Sequence, residues 1–119
     1  MASPRIRRVN EAIREVLSTH IAKDLGDPRI GFVTVTAVDT SPDLRHARVY
    51  VSVLGSEADR DAALAALRSS HGYLQAHVGT ELRMKRTPVL RFAYDESIDT
   101  GMRISSLLDD AGPAPGDAA

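Results

Sequence analysis

The sequence predicts an α+β fold of order α-β-β-α-α-β, and three observations carry that expectation. Apolar residues recur at helical spacing over residues 4–23. Two runs rich in β-branched residues follow, separated by a short turn signal. An alanine-rich helical stretch, interrupted once, then leads into a third short strand. At 119 residues the chain is long enough for one domain with a single core.

The first helix is expected at 4–23. Ser3 is a good cap and Pro4 suits the first helical position. Ile6, Val9, Ile13, Val16, Leu17 and Ile21 form its apolar stripe, and Gly26-Asp27-Pro28 ends it. Glu11 lies four residues from Arg7, so part of the basic charge there is expected to be compensated locally.

The first strand is expected at 32–38, with Val33, Val35 and Ala37 on one face and Thr34 and Thr36 on the other. Ser41-Pro42-Asp43 signals a turn. The second strand, at 46–54, alternates Ala47, Val49, Val51 and Val53 with Arg48, Tyr50 and Ser52. The short link makes the pair an antiparallel hairpin. A helix at 57–69 presents mostly alanine and leucine, so it should pack closely. Gly72 interrupts, and Leu74, Val78 and Leu82 resume the helical period, which places a kink at Ser70, His71 and Gly72.

Thr87-Pro88 opens the third strand, 88–94, with Leu90, Phe92 and Tyr94 on one face and Arg91 turned away. A short helix built on Ile98, Met102, Ile104, Leu107 and Leu108 is expected after it. Residues 1–110 thus read as one domain, and 111–119, rich in alanine, glycine and proline, as a disordered C-terminal tail.

Composition excludes several functions. The absence of cysteine removes disulfides, thiolate metal sites and a cysteine nucleophile. His20, His46, His71 and His77 are scattered, with no two at the four-residue spacing of paired zinc ligands, so no metal and no cofactor are expected. Neither Walker-type nor dinucleotide-type glycine loops occur. Asp95-Glu96 and Asp109-Asp110 are sequence neighbours that point apart, which fits solvated charges better than an acid/base pair. The chain therefore reads as a binding protein and not an enzyme. No apolar run reaches membrane-spanning length, and Met1-Ala2-Ser3-Pro4 lacks a signal-peptide core, so a cytoplasmic protein is expected.

The net charge of −1 conceals a pattern. Residues 1–23 carry five basic side chains against two acidic, and 68–92 carry five against one. Between them and after them the chain is acidic. A fold that joins the basic blocks would offer phosphates one face. Arg5, Arg7 and Arg8 sit at a helix start, where cations oppose the helix dipole. Two readings stand for them: phosphate contact, or a solvated basic end. Arg83, Lys85 and Arg86 follow a helix C-terminus, where cations cost nothing, and Arg91 extends the set. Arg45 and Arg48 read as surface strand residues. Tyr50, Tyr73 and Tyr94 are candidates for base stacking, although Tyr94 fits the core and Tyr73 fits either place.

Several ordered pieces then make the chain resemble the ribosome-binding factor A family, bacterial small-subunit assembly proteins. They are Arg8-Val9-Asn10-Glu11-Ala12-Ile13, Asp27-Pro28-Arg29-Ile30-Gly31, Ala47-Arg48-Val49-Tyr50-Val51-Ser52 and Leu82-Arg83-Met84-Lys85-Arg86-Thr87-Pro88-Val89-Leu90. Phe92-Ala93-Tyr94-Asp95 and Asp99-Thr100-Gly101-Met102-Arg103-Ile104 complete the set, and the likeness spans about residues 4–108. The resemblance implies a type II KH-like fold with a three-stranded sheet, no G-x-x-G loop, and a helix-kink-helix. The family has alanine two residues before the kink glycine, where this chain has Ser70. It implies binding to 16S rRNA in the free 30S subunit, help with late maturation and rRNA processing without cleavage, departure before translation, and a link to cold adaptation. Neither DNA nor a membrane is an expected partner, and the chain is expected to act as a monomer. Arg5, Arg7, Arg8, Arg83, Lys85, Arg86 and Arg91 would contact the RNA backbone. A protein- or ligand-binding module working through its acidic blocks, and a hydrolase with a dispersed site, are the readings from other classes.

Overall fold

The computed structural model describes residues 3–97. Its elements run α1 (Pro4–Lys23), β1 (Val33–Thr40), β2 (His46–Val53), α2 (Glu57–Ser69), α3 (His71–Leu82) and β3 (Val89–Tyr94), the predicted order. The helix expected at 98–108 and the tail at 111–119 lie outside the described residues. The sheet order is β1-β2-β3, with β1 antiparallel and β3 parallel to β2. One face carries Val35, Val38, Ala47, Val49, Val51, Leu90 and Phe92, all buried under the helices. On the opposite face His46, Arg48, Val89 and Arg91 are exposed. Among the described residues no helix is long and apolar enough to cross a membrane.

Local chemistry explains the boundaries. The Ser3 hydroxyl accepts the Ile6 amide at 3.2 Å and starts α1. Ile6, Ile13, Leu17 and Ile21 then fall on its buried stripe. After α1, Asp27 accepts from the Arg29 amide at 2.9 Å and pairs with the Arg29 guanidinium. This turn drops Ile30 into the core, 5% exposed, and Gly31 (φ 53) redirects the chain toward β1. Ser56 and Asp59 form a reciprocal capping box at the start of α2.

Three sequence expectations need correction. Ala37 is exposed and Val38 buried, because a bulge lies between Val35, opposite Val51, and Ala37, opposite Tyr50. One extra residue reverses the inward–outward phase, which a strict period of two does not anticipate. Strand one accordingly runs to Thr40, and Phe32 stands outside it, 77% exposed. Glu11 pairs with Arg14, at 3.3 Å, and not with Arg7. Tyr94, by contrast, packs against the core as expected, partly buried, with the Arg60 guanidinium 4.6 Å above its ring centre.

Candidate nucleic-acid interface

A single residue separates α2 from α3. Ser70 (φ −94, ψ 9) closes α2 and opens α3, while His71 and Gly72 already lie in the first turn of α3. This bend lays α2 and α3 successively along the free edge of β3. Arg68 donates to the Phe92 carbonyl at 3.1 Å, and His71 Nε2 donates to the Leu90 carbonyl at 3.0 Å. Gln75 donates to the Pro88 carbonyl at 2.8 Å and accepts from the Leu90 amide at 2.9 Å. Three helix side chains thus replace a fourth strand, and they close an edge that would otherwise invite pairing with another chain.

With β3 fixed, the segment before it is fixed as well. Arg83 ends α3 in the left-handed region (φ 52, ψ 37), a conformation that favours glycine. Residues 83–88 then run to β3, and the Val89 amide donates to the Arg45 carbonyl at 2.8 Å. That bond sets the segment beside the β1–β2 turn. The turn is held by Asp43, which accepts from the Ser41 hydroxyl at 2.6 Å and from the Arg45 amide at 3.1 Å. These two bonds keep the Asp43 carboxyl below its ordinary pKa.

Arg5, from the first turn of α1, meets this junction. Arg5, Arg45, Arg83, Lys85 and Arg86 line one concavity together with Asp43, Leu44 and Met84. Two basic blocks far apart in sequence therefore share one end of the molecule. The other predicted cations lie elsewhere. Arg7 and Arg8 flank a shallow surface on α1 beside Glu11 and Glu15, and Arg8 reaches back toward the Pro4 carbonyl at 3.4 Å. Arg91 lies on the open sheet face, directly opposite Arg48 across the parallel β2–β3 register. On the other side of Arg48 the antiparallel register places Asp39.

Among the described residues, no ion pair engages Arg5, Arg7, Arg8, Arg83, Lys85, Arg86 or Arg91. Arg14 and Arg29, by contrast, are paired at 3.3 and 2.6 Å. Cations left without carboxylate partners at one end of a fold are suited to phosphate oxygens. Sequence reasoning missed Arg45 and Arg48 as members of basic groups. The alternation in β2 already put Arg48 on the polar face, but only the register supplies its neighbour Arg91. Arg45 joins its group through a backbone bond to Val89, which leaves no trace in sequence.

The family model described as ribosome-binding factor A matches residues 5–108. Ribosome-binding factor A of Halorhodospira halophila is 46% identical over 96% of this chain and 91% of its own length. That of Geobacter metallireducens is 47% identical over 92% of each. Among solved structures, ribosome-binding factor A from Thermus thermophilus superposes with a TM-score of 0.67 at 31% identity, covering 75% of this chain and 94% of that one. A homology model of Thermus thermophilus ribosome-binding factor A, fitted into the cryo-EM map of a 30S complex with that factor, gives a TM-score of 0.62 at 32% identity, with coverages of 73% and 91%. The α-β-β-α-α-β order is thus the KH-like arrangement of these relatives.

Proposed function

The chain belongs to the ribosome-binding factor A family, and from that premise we propose that it binds the free 30S subunit and assists late maturation and processing of 16S rRNA. The work is done by binding. Contact with RNA favours one conformation of the immature subunit, and no bond is made or broken. The relative fitted into a 30S complex supports the partner, and the family carries the name of a binding factor. On this reading the chain acts as a cytoplasmic monomer, with residues 1–110 as the RNA-binding domain and 111–119 as a tail outside it.

The observation that carries the proposal is the concavity in which Arg5 joins Arg83, Lys85 and Arg86. It unites members of the two basic blocks of the sequence, and among the described residues no ion pair engages these four. Arg45 completes the group, held loosely by Asp43 at 4.0 Å across an exposed contact of little energetic weight. Arg7, Arg8 and Arg91 flank this centre and extend the contact with the RNA backbone.

Co-sedimentation with purified small subunits tests the assignment. Binding should weaken steeply as salt rises, because each neutralised phosphate releases counterions. Reversal of Arg83, Lys85 and Arg86 to Glu should abolish co-sedimentation while circular dichroism stays unchanged. Arg45→Glu alone should lower the salt slope by about one. Full binding by the folded triple variant would remove the concavity from the site.

A further inference from the structure

We propose that His20, Asp24 and His77 form a binding site for a divalent transition metal of the zinc class, with Glu81 as its supporting carboxylate. The site lies where the end of α1 meets α3, and none of its residues belongs to the basic concavity. Its residues come as two matching pairs. His20 and Asp24 are four apart at the end of α1, and His77 and Glu81 are four apart on α3. Each pair lies on one face of its helix, and the two faces meet. One donor atom from each of His20, Asp24 and His77 lies within 4.8 Å of the others.

The hydrogen bonds assign a role to each atom. His20 Nε2 donates to Glu81 Oε2 at 2.6 Å, and His77 Nδ1 lies 3.5 Å from the same oxygen. One carboxylate therefore addresses one nitrogen of each ring. The nitrogens that remain are Nδ1 of His20, which hydrogen-bonds Asp24 Oδ2, and Nε2 of His77. Metal-bound histidines use their second nitrogen in this way, on a carboxylate that fixes tautomer and ring orientation. Asp24 is supported too, since the Tyr73 hydroxyl donates to its Oδ2 at 2.7 Å. Two imidazoles and one carboxylate suit zinc, cobalt or nickel. Magnesium and calcium prefer all-oxygen sets. The side chains of Asp24 and His77 are about one-third exposed, at 31% and 35%, so an ion has a route in.

Capture releases the proton that His20 Nδ1 shares with Asp24, the ion taking its place between the two groups, and requires one ring to turn. The His20 and His77 rings are stacked, with centroids 3.9 Å apart and planes at 28°, so their edges do not converge on one point. His77 turns about its side-chain torsions to aim Nε2 at the ion beside Nδ1 of His20. Solvent fills the remaining coordination positions.

Titration of the full chain with Co²⁺ tests the site, because bound cobalt shows visible d–d absorption. One equivalent should bind, and Zn²⁺ should displace it and raise the melting temperature, as a ligand of the native state does. His77→Ala should abolish the absorption, and so should His20→Ala. Glu81→Gln should weaken binding on the order of tenfold to a hundredfold. His46→Ala, away from the cluster, should bind as wild type. If His20→Ala fails to fold, the folded His77→Ala protein decides. No absorption in the wild-type titration would overturn the site, and so would undiminished absorption in folded His77→Ala.

Discussion

Gln75 of α3 holds Leu90 of β3 by its backbone, accepting the Leu90 amide at 2.9 Å while donating to the Pro88 carbonyl at 2.8 Å. Leu90 is only 2% exposed, so its amide has little access to water. Gln75→Leu keeps the volume and removes both bonds. We expect a loss of about 2 kcal/mol in urea denaturation, the order set by stranding a buried donor and an acceptor. Gln75→Glu retains the acceptor alone and should fall between. A loss within the error of the measurement would mean that the edge of β3 does not depend on Gln75.

The two glycines of α3 should respond differently to alanine. Gly72 has helical backbone and open space where a Cβ would sit. Gly72→Ala should therefore stabilise the fold by about 0.5 kcal/mol through helix propensity and a less disordered unfolded chain. A Cβ at Gly79 would sit 3.1 Å from Thr87 Oγ1. Gly79→Ala should gain less or destabilise. Melting temperatures in the opposite order would show that the bend after Ser70 needs glycine for a reason other than backbone freedom.

Arg83 should show a conflict between stability and binding. Its positive φ costs on the order of 1 kcal/mol, which glycine does not incur. Arg83→Gly should raise the denaturation midpoint and still weaken subunit binding, since it removes one cation from the concavity. A variant both more stable and fully binding would show that Arg83 makes no RNA contact.

Acid should loosen the tie between Thr36 of β1 and Asp95, the residue after β3. Burial pushes the Asp95 carboxyl upward, but hydrogen bonds from Ser97 and from the Thr36 hydroxyl (2.6 Å) outweigh it and hold the folded pKa below its ordinary value. The stabilisation is thus fully present above the unfolded pKa and is lost as pH falls through the folded one. Denaturation midpoints measured from pH 6 down to about 3 should decline less for Asp95→Asn than for wild type. Parallel curves would assign the acid sensitivity to other carboxylates.

The sequence by itself determined the elements and most of the core. Ser3-Pro4, Ser41-Pro42-Asp43 and the alternation of β2 are local signals, and local hydrogen bonding and burial obey them. Tertiary structure decided what depends on register and approach. The bulge at Thr36 moves Val38 into the core and Ala37 out, because one unpaired residue shifts the phase of everything beyond it. The Val89–Arg45 bond brings Arg45 to Arg83, Lys85 and Arg86, and the packing of α1 adds Arg5. His20 and Glu81 lie sixty-one positions apart and meet at 2.6 Å only because α1 and α3 cross there. The charges and ligand pairs were written in the chain, but their grouping was not. Periodicity specifies which way a side chain faces within its own element, and it carries no information about which element lies opposite.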